Sequence, residues 1–334
     1  MNTKQEIIDA IEGRFDGELP PPVLLTQTGT REQMAHCGAY WPDAHRDIGK
    51  MVTLALQPSE RFGFATARVP FDVSAEAEAI GCSVTTGTDI SQPAVEDSPW
   101  REYMTVPQVS GLPTVDDFLS SDRIRTVIRS AKRITDGRKD LFVTSMCISS
   151  SGVVGHMMGM ENMIMCSVAD VDAVVELVDH ITQYSVAYAD ALSKVSDNVM
   201  VITSALSGIM TPEFVRETLK RDKVIVDAIG DSYSMIHNCG NTFEYIDDLA
   251  AMRPDILSLE TSSDPEAYLR RIGKRCVTLG CISPVRVLLP GTPEDVRREA
   301  LRSAELGFGL VGPECGVPPL TPDANLMALA DYRS

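Results

Sequence analysis

At 334 residues the chain is long for one ordinary domain yet within the span of a single α/β barrel. A formal net charge of -17 excludes a binder of phosphate backbones, which needs a basic face, so no nucleic-acid partner is expected. The chain is 44% hydrophobic but has no apolar run long enough to cross a bilayer, and Met1-Asn-Thr-Lys-Gln-Glu-Ile-Ile lacks the apolar stretch of a signal peptide; a cytoplasmic protein without membrane contact is expected.

Residues 2–14 have helical spacing, and Pro20-Pro21-Pro22 breaks the chain before a strand at 23–28. Helices are predicted at 30–38 and 43–59, a strand at 62–69, and a short helix at 75–80 closed by Gly81. The stretch 82–114, rich in Thr, Ser, Pro and Gly, reads as loop and hairpin laid over a barrel mouth. From 121 onward helices and strands alternate. Helices at 123–135, near 152–165, at 170–194, 211–229, 242–251, 265–273 and 293–306 interleave with strands at 141–147, 199–202, 233–236, 255–260, 276–280 and 308–311, and a helix at 323–330 closes the chain. Such alternation implies parallel βαβ units. Eight strands favour a closed (β/α)8 TIM barrel over an open sheet, as one domain over 1–334 whose first 60 residues form a helical segment and the first strand.

Eight cysteines stand at positions 37, 82, 147, 166, 239, 276, 281 and 315. Most sit in apolar runs and read as reduced, core-filling thiols. Two are different. In Tyr233-Ser-Met-Ile-His237-Asn-Cys239-Gly240-Asn241 a short strand runs into a His-x-Cys pair, and strand alternation lets His237 and Cys239 face one point. Cys315 ends a second apolar run, Gly307-Phe-Gly-Leu-Val-Gly-Pro-Glu-Cys315-Gly316. Two thiolates and an imidazole suit zinc, and a zinc so ligated suits the binding of another sulfur. Glu260, one strand after His237, reads either as a fourth ligand that gives way to substrate or as a solvated strand-end carboxylate. All four residues fall at predicted C-terminal strand ends, where barrel chemistry sits.

Arg68, before Pro70, is a candidate for holding an anionic substrate group or one half of a plain salt bridge. His156 is a candidate ligand or cofactor contact, with an ordinary loop histidine the preferred reading. The methionines at 157–165 suit an adaptable docking surface for a large cofactor or irregular core packing. No phosphate-cradling glycine motif is present.

Taken together these pieces resemble the uroporphyrinogen decarboxylase superfamily, and within it the methylcobamide:coenzyme M methyltransferases. The matching stretches are Thr26-Gln27-Thr28-Gly29, Arg68-Val-Pro70 with Glu78-Ala-Ile-Gly81-Cys82, His237-Asn-Cys239-Gly240-Asn241, Leu288-Leu-Pro290-Gly291, and Gly312-Pro-Glu-Cys315-Gly316 with Thr321-Pro322-Asp-Ala-Asn325. The resemblance implies a (β/α)8 barrel, Zn2+ on His237, Cys239 and Cys315 with Glu260 completing the site, and a methylcobamide arriving as co-substrate on a separate corrinoid protein. Gln27, Arg68, His156 and Asn325 are then candidates for binding the thiol substrate or the corrinoid. After 199–202 these enzymes tend to carry Asp-Pro, whereas this chain reads Thr203-Ser204-Ala205-Leu206; Thr26-Gln27-Thr28-Gly29 also differs from the arginine-rich loop of the decarboxylases, against tetrapyrrole decarboxylation. The leading expectation is zinc-dependent methyl transfer from a methylated corrinoid protein to a thiol, coenzyme M first among them. Two alternatives are a corrinoid-linked demethylase component taking methyl from a methoxy, thio or amine compound, and a zinc-stabilised barrel that only binds corrinoid protein.

Overall fold

The computed structural model describes residues 2–204, 208–261 and 263–334, so Ala205 and Leu206 of the divergent stretch lie outside the described residues. Among these residues, nine strands form: β1 (Thr66–Val69), β2 (Ser83–Val84), β3 (Val95–Asp97), β4 (Phe142–Ile148), β5 (Asn198–Ile202), β6 (Tyr233–Asn238), β7 (Ile256–Leu259), β8 (Val277–Ile282) and β9 (Leu310–Pro313). Seven of them make one parallel sheet in the order β1-β4-β5-β6-β7-β8-β9, while β2 and β3 pair antiparallel as the expected hairpin. Every residue of β4 is buried, as a parallel sheet covered on both faces requires.

The expected eighth strand at 23–28 is reduced to one parallel bridge, Pro22 to Val311. Three consecutive prolines supply no N–H donors, so the pairing is limited to the Val23 N–H, which donates to the Val311 carbonyl at 2.9 Å, and the Pro21 carbonyl, which accepts from the Val311 N–H at 3.2 Å. On its other side the Leu24 N–H finds the Thr66 hydroxyl at 3.3 Å instead of a strand carbonyl. One short segment thus touches β9 and β1, the two edges of the sheet, and the sheet is curled to bring them there.

The inner layer follows the register. Met146, Met200, Met235 and Ile256 stand side by side across β4, β5, β6 and β7, and all four belong to one buried apolar cluster with Phe142, Leu279 and Leu310. Two residues further along β6 and β7, on the same face by alternation, stand His237 and Ser258, paired in register.

Helix boundaries follow their caps. Thr292 and Asp295 form a capping box that starts Pro293–Leu306, and Gly307 ends it in the left-handed region at φ 99°. The expected helix at 43–59 is broken into a 3₁₀ turn (Asp43–His45) and two helices, Ile48–Ala55 and Gln57–Phe62. Asp47 accepts from the Lys50 N–H at 2.8 Å and so starts a new helix, and Pro58 suits the first turn of the next. That last helix uses Phe62, which delays β1 to Thr66. The expected helix at 152–165 is likewise two, Ser150–Met158 and Met160–Ala169, divided at Gly159 with φ 81°. No helix among the described residues is long and apolar enough to cross a membrane.

The turn after β1 is locked by charge. Asp72 is fully buried, accepts two hydrogen bonds from Arg123 at 2.7 and 2.8 Å, and meets His45 Nδ1 at 2.9 Å. Burial alone would raise the Asp72 carboxyl, but the His45 hydrogen bond and the Arg123 charge hold it well below the usual carboxylate range. Asp222, on helix Pro212–Asp227, is the opposite case. It is 1% exposed, neither oxygen has a hydrogen-bond partner, and burial pushes its carboxyl up to about 8. The folded state therefore holds a proton that the unfolded chain releases near pH 4, so this group costs stability as pH rises from about 4 to about 8. Asp222→Asn is expected to raise the thermal midpoint by several degrees at pH 8 and little at pH 5, as read by circular dichroism melts.

Candidate metal centre

The His-x-Cys pair is delivered by the end of β6 and the turn after it, and Cys315 by the end of β9. His237 Nε2 lies 3.1 Å from Cys239 Sγ, and the two sulfurs, Cys239 and Cys315, are 2.9 Å apart. The three potential ligand atoms all fall within 4.8 Å of one another, among the described residues the one such group of His, Cys, Asp or Glu. His237 is buried and both cysteines are half-buried, so the group opens toward solvent on its sulfur side.

Ser258 orients the imidazole. Its hydroxyl is 3.0 Å from His237 Nδ1, which leaves Nε2 free to face the sulfurs. Sequence reading missed this residue, although a signal exists: Ser258 occupies an inward position in the otherwise apolar strand β7, one strand from His237. Glu314 was also missed. It is fully buried, and its Oε2 accepts from the Thr261 N–H at 2.9 Å, tying the end of β9 to the loop that carries Glu260.

Glu260 is not one of the converging three. Its Oε2 accepts from the Gly240 N–H at 2.7 Å, in the turn that follows Cys239, where Gly240 has a left-handed φ of 78°. Its charge nevertheless acts on Cys239. Hydrogen bonding to Cys315, then burial, pushes the Cys239 thiol up, while the bond from Cys239 and the nearby His237 hold the Cys315 thiol well below its ordinary value against burial.

Arg68 lies inside the sheet, 4% exposed. Nη1 donates to the Gln27 carbonyl, and Nη2 is 2.6 Å from Met146 Sδ. Burial lowers its pKa to about 10, opposed by the charges of Asp72, Cys315 and Cys239. It makes no salt bridge among the described residues, which corrects one of the two readings of the sequence. Gln27 turns its amide away, donating to the Ala55 carbonyl at 3.3 Å, and reaches this region only through its backbone oxygen. Asn325 gives its amide to the carbonyls of Leu288 and Gly291, both at 2.8 Å, closing the π-helical turn Pro284–Leu288. These two amides serve the backbone. His156, read from the sequence as a loop histidine, instead lies in the last turn of helix Ser150–Met158, outside the sulfur group; burial lowers its pKa, and its Nδ1 has no hydrogen-bond partner.

One imidazole nitrogen and two sulfurs, with the second imidazole nitrogen already held by a hydroxyl, form a donor set that fits zinc. The curled parallel sheet and this site agree with what comparison of the chain with known proteins finds. The chain belongs to the uroporphyrinogen decarboxylase (URO-D) family, whose model matches residues 2–334. Within that family it is a methyltransferase. It is 30% identical to a methylcobamide:CoM methyltransferase (MtbA) of Methanosarcina acetivorans, over 93% of this chain and 91% of that protein. It is 29% identical to a methylated-thiol–coenzyme M methyltransferase of Methanosarcina mazei, over 98% of this chain and 87% of the relative. A solved methyltransferase structure from Methanosarcina mazei superposes with a TM-score of 0.91 at 27% identity, covering 100% of this chain and 98% of that one.

Ser258→Ala is expected to weaken zinc binding about 10- to 100-fold while leaving the fold intact. Cys239→Ser and Cys315→Ser are each expected to lose the metal. Competition against a chromophoric chelator, alongside metal analysis, measures all three.

Proposed function

We propose that the protein moves a methyl group from a methylated corrinoid, presented by a partner protein, to a small thiol, with coenzyme M the first acceptor to test. The observation that carries this reading is the convergence of His237 Nε2 with two cysteine sulfurs at the ends of β6 and β9. The names of the relatives, methylcobamide:CoM methyltransferases, supply the substrate pair. We read the curled sheet, with segment 22–24 between its edges, as a (β/α)8 barrel with its site at the C-terminal mouth.

In this reading His237, Cys239 and Cys315 hold zinc, which would keep the acceptor as a thiolate at neutral pH. Ser258 holds the imidazole in one tautomer. Glu260, which accepts from the Gly240 N–H beside Cys239, would be the carboxylate that completes the donor set at rest and gives way to the acceptor. In the transfer the carbon–cobalt bond breaks with its electron pair left on cobalt, a carbon–sulfur bond forms, and the thiol proton is released to solvent. The corrinoid must approach from the open side. The loops after the strands there carry exposed apolar side chains, among them Tyr103, Met104, Ile209, Phe243 and Leu320, suited to a partner protein's surface. A second reading, favoured by the relative named for methylated thiols, has the methyl group come from a methylated thiol through the same site.

Incubating zinc-loaded protein with methylcobalamin and a panel of thiols is expected to give methyl thioether and Co(I) with coenzyme M above all others. Thioether formed from no thiol in the panel would overturn the reading. Glu260→Gln is expected to change the thiol exchange rate severalfold and leave zinc content unchanged, as measured by stopped-flow binding and metal analysis.

A further inference from the structure

Arg68 presents an imbalance that the packing around it does not resolve. Its guanidinium is almost wholly buried, yet its hydrogen-bond partners are a carbonyl, Gln27, and a thioether, Met146, and its Nε has none. A buried cation without a counter-charge is strongly destabilising. The carboxylate whose charge acts on it, Asp72, is already committed to Arg123, His45 and Ser74. The other groups acting on it are the Cys315 and Cys239 sulfurs, which carry charge only as thiolates.

The floor beneath the site makes this charge count. Met146, Met200, Met235 and Ile256 form an apolar layer with no water-accessible surface to speak of, each at most 1% exposed. Charges above such a layer are screened weakly, so a fixed guanidinium acts on the sulfurs more strongly than a surface arginine could.

We propose that Arg68 is the buried counter-ion of the sulfur site, a positioning residue whose fixed charge makes an anionic third sulfur the favoured occupant of the open position. This rests on the reading of His237, Cys239 and Cys315 as zinc ligands. Two thiolates already neutralise a divalent ion. A third thiolate leaves one negative charge in a half-buried site, and Arg68 balances it. A neutral occupant such as water gains nothing from that charge. The proposal assigns Arg68 to the sulfur end of the acceptor and not to its tail.

The test compares wild-type, Arg68→Met and Arg68→Lys full-length proteins loaded with zinc or cobalt(II). Zinc affinity is read by chelator competition, and the third sulfur by the growth of sulfur-to-cobalt charge-transfer absorption as thiol is titrated. Two thiols are used, 2-mercaptoethanesulfonate with a charged tail and 2-mercaptoethanol with a neutral one. Arg68→Met is expected to raise the Kd of both thiols by about tenfold or more and by similar factors, with Arg68→Lys recovering most of the loss. Should Arg68→Met fail to fold, Arg68→Gln, which keeps a donor for the Gln27 carbonyl without the charge, carries the same comparison. Unchanged thiol affinity in the uncharged variants overturns the proposal, as does a loss confined to the sulfonate-tailed thiol, which would make Arg68 a tail receptor. A wild-type protein that binds metal but gains no third sulfur would instead overturn the functional reading beneath it.

Discussion

The arrangement depends on the parallel register that joins β5, β6 and β7. That ladder sets Met200, Met235 and Ile256 in one row and, two residues on, sets Ser258 beside His237. A slip of one residue would turn every side chain of β6 to the opposite face. The imidazole would then face the helices, and the hydroxyl that fixes its tautomer would be lost with it. The register is strongly specified because the methionine row is buried, so the apolar core and the reactive group are two layers of one alternation.

Electrostatics divide this interior in two. After β1, the buried ions are matched, with Asp72 held between Arg123 and His45. On β1, buried Arg68 has no carboxylate in salt-bridge contact among the described residues. The first group fastens a turn. The second leaves a charge that, in the proposed reading, complements an anion, and matched and unmatched burial would then separate scaffold from site.

Much of this was legible in the sequence, for definite reasons. His237, Cys239 and Cys315 stood out because ligand-type residues at the ends of two apolar runs are chemically uncommon, and strand alternation supplied their common direction. Helix 293–306 was read to the residue because threonine, proline and glycine mark both of its ends. What escaped was decided by contacts between distant segments. The segment at 23–28 has the composition of a strand, but prolines before it and a side-chain hydroxyl on β1 leave it a single bridge. Gln27 and Asn325 have amides that suit a ligand equally well, and only the fold shows them turned to the carbonyls of Ala55, Leu288 and Gly291. Ser258 interrupts an apolar run in the sequence, but its tie to His237 shows only when β7 lies beside β6, and Arg68 could be told from a surface arginine only by its burial.

The bond between Glu260 and the Gly240 N–H has a kinetic side. When the carboxylate moves, that N–H loses its acceptor, and an orphaned donor sealed from solvent would cost on the order of 1–3 kcal/mol. Gly240 is only half-buried, so a water molecule can take the vacated place as the carboxylate leaves it. In the proposed exchange the turn would therefore serve as a parking place with a low exit barrier, and which anion lies beside the sulfurs would be governed by competition and not by a slow rearrangement of the chain.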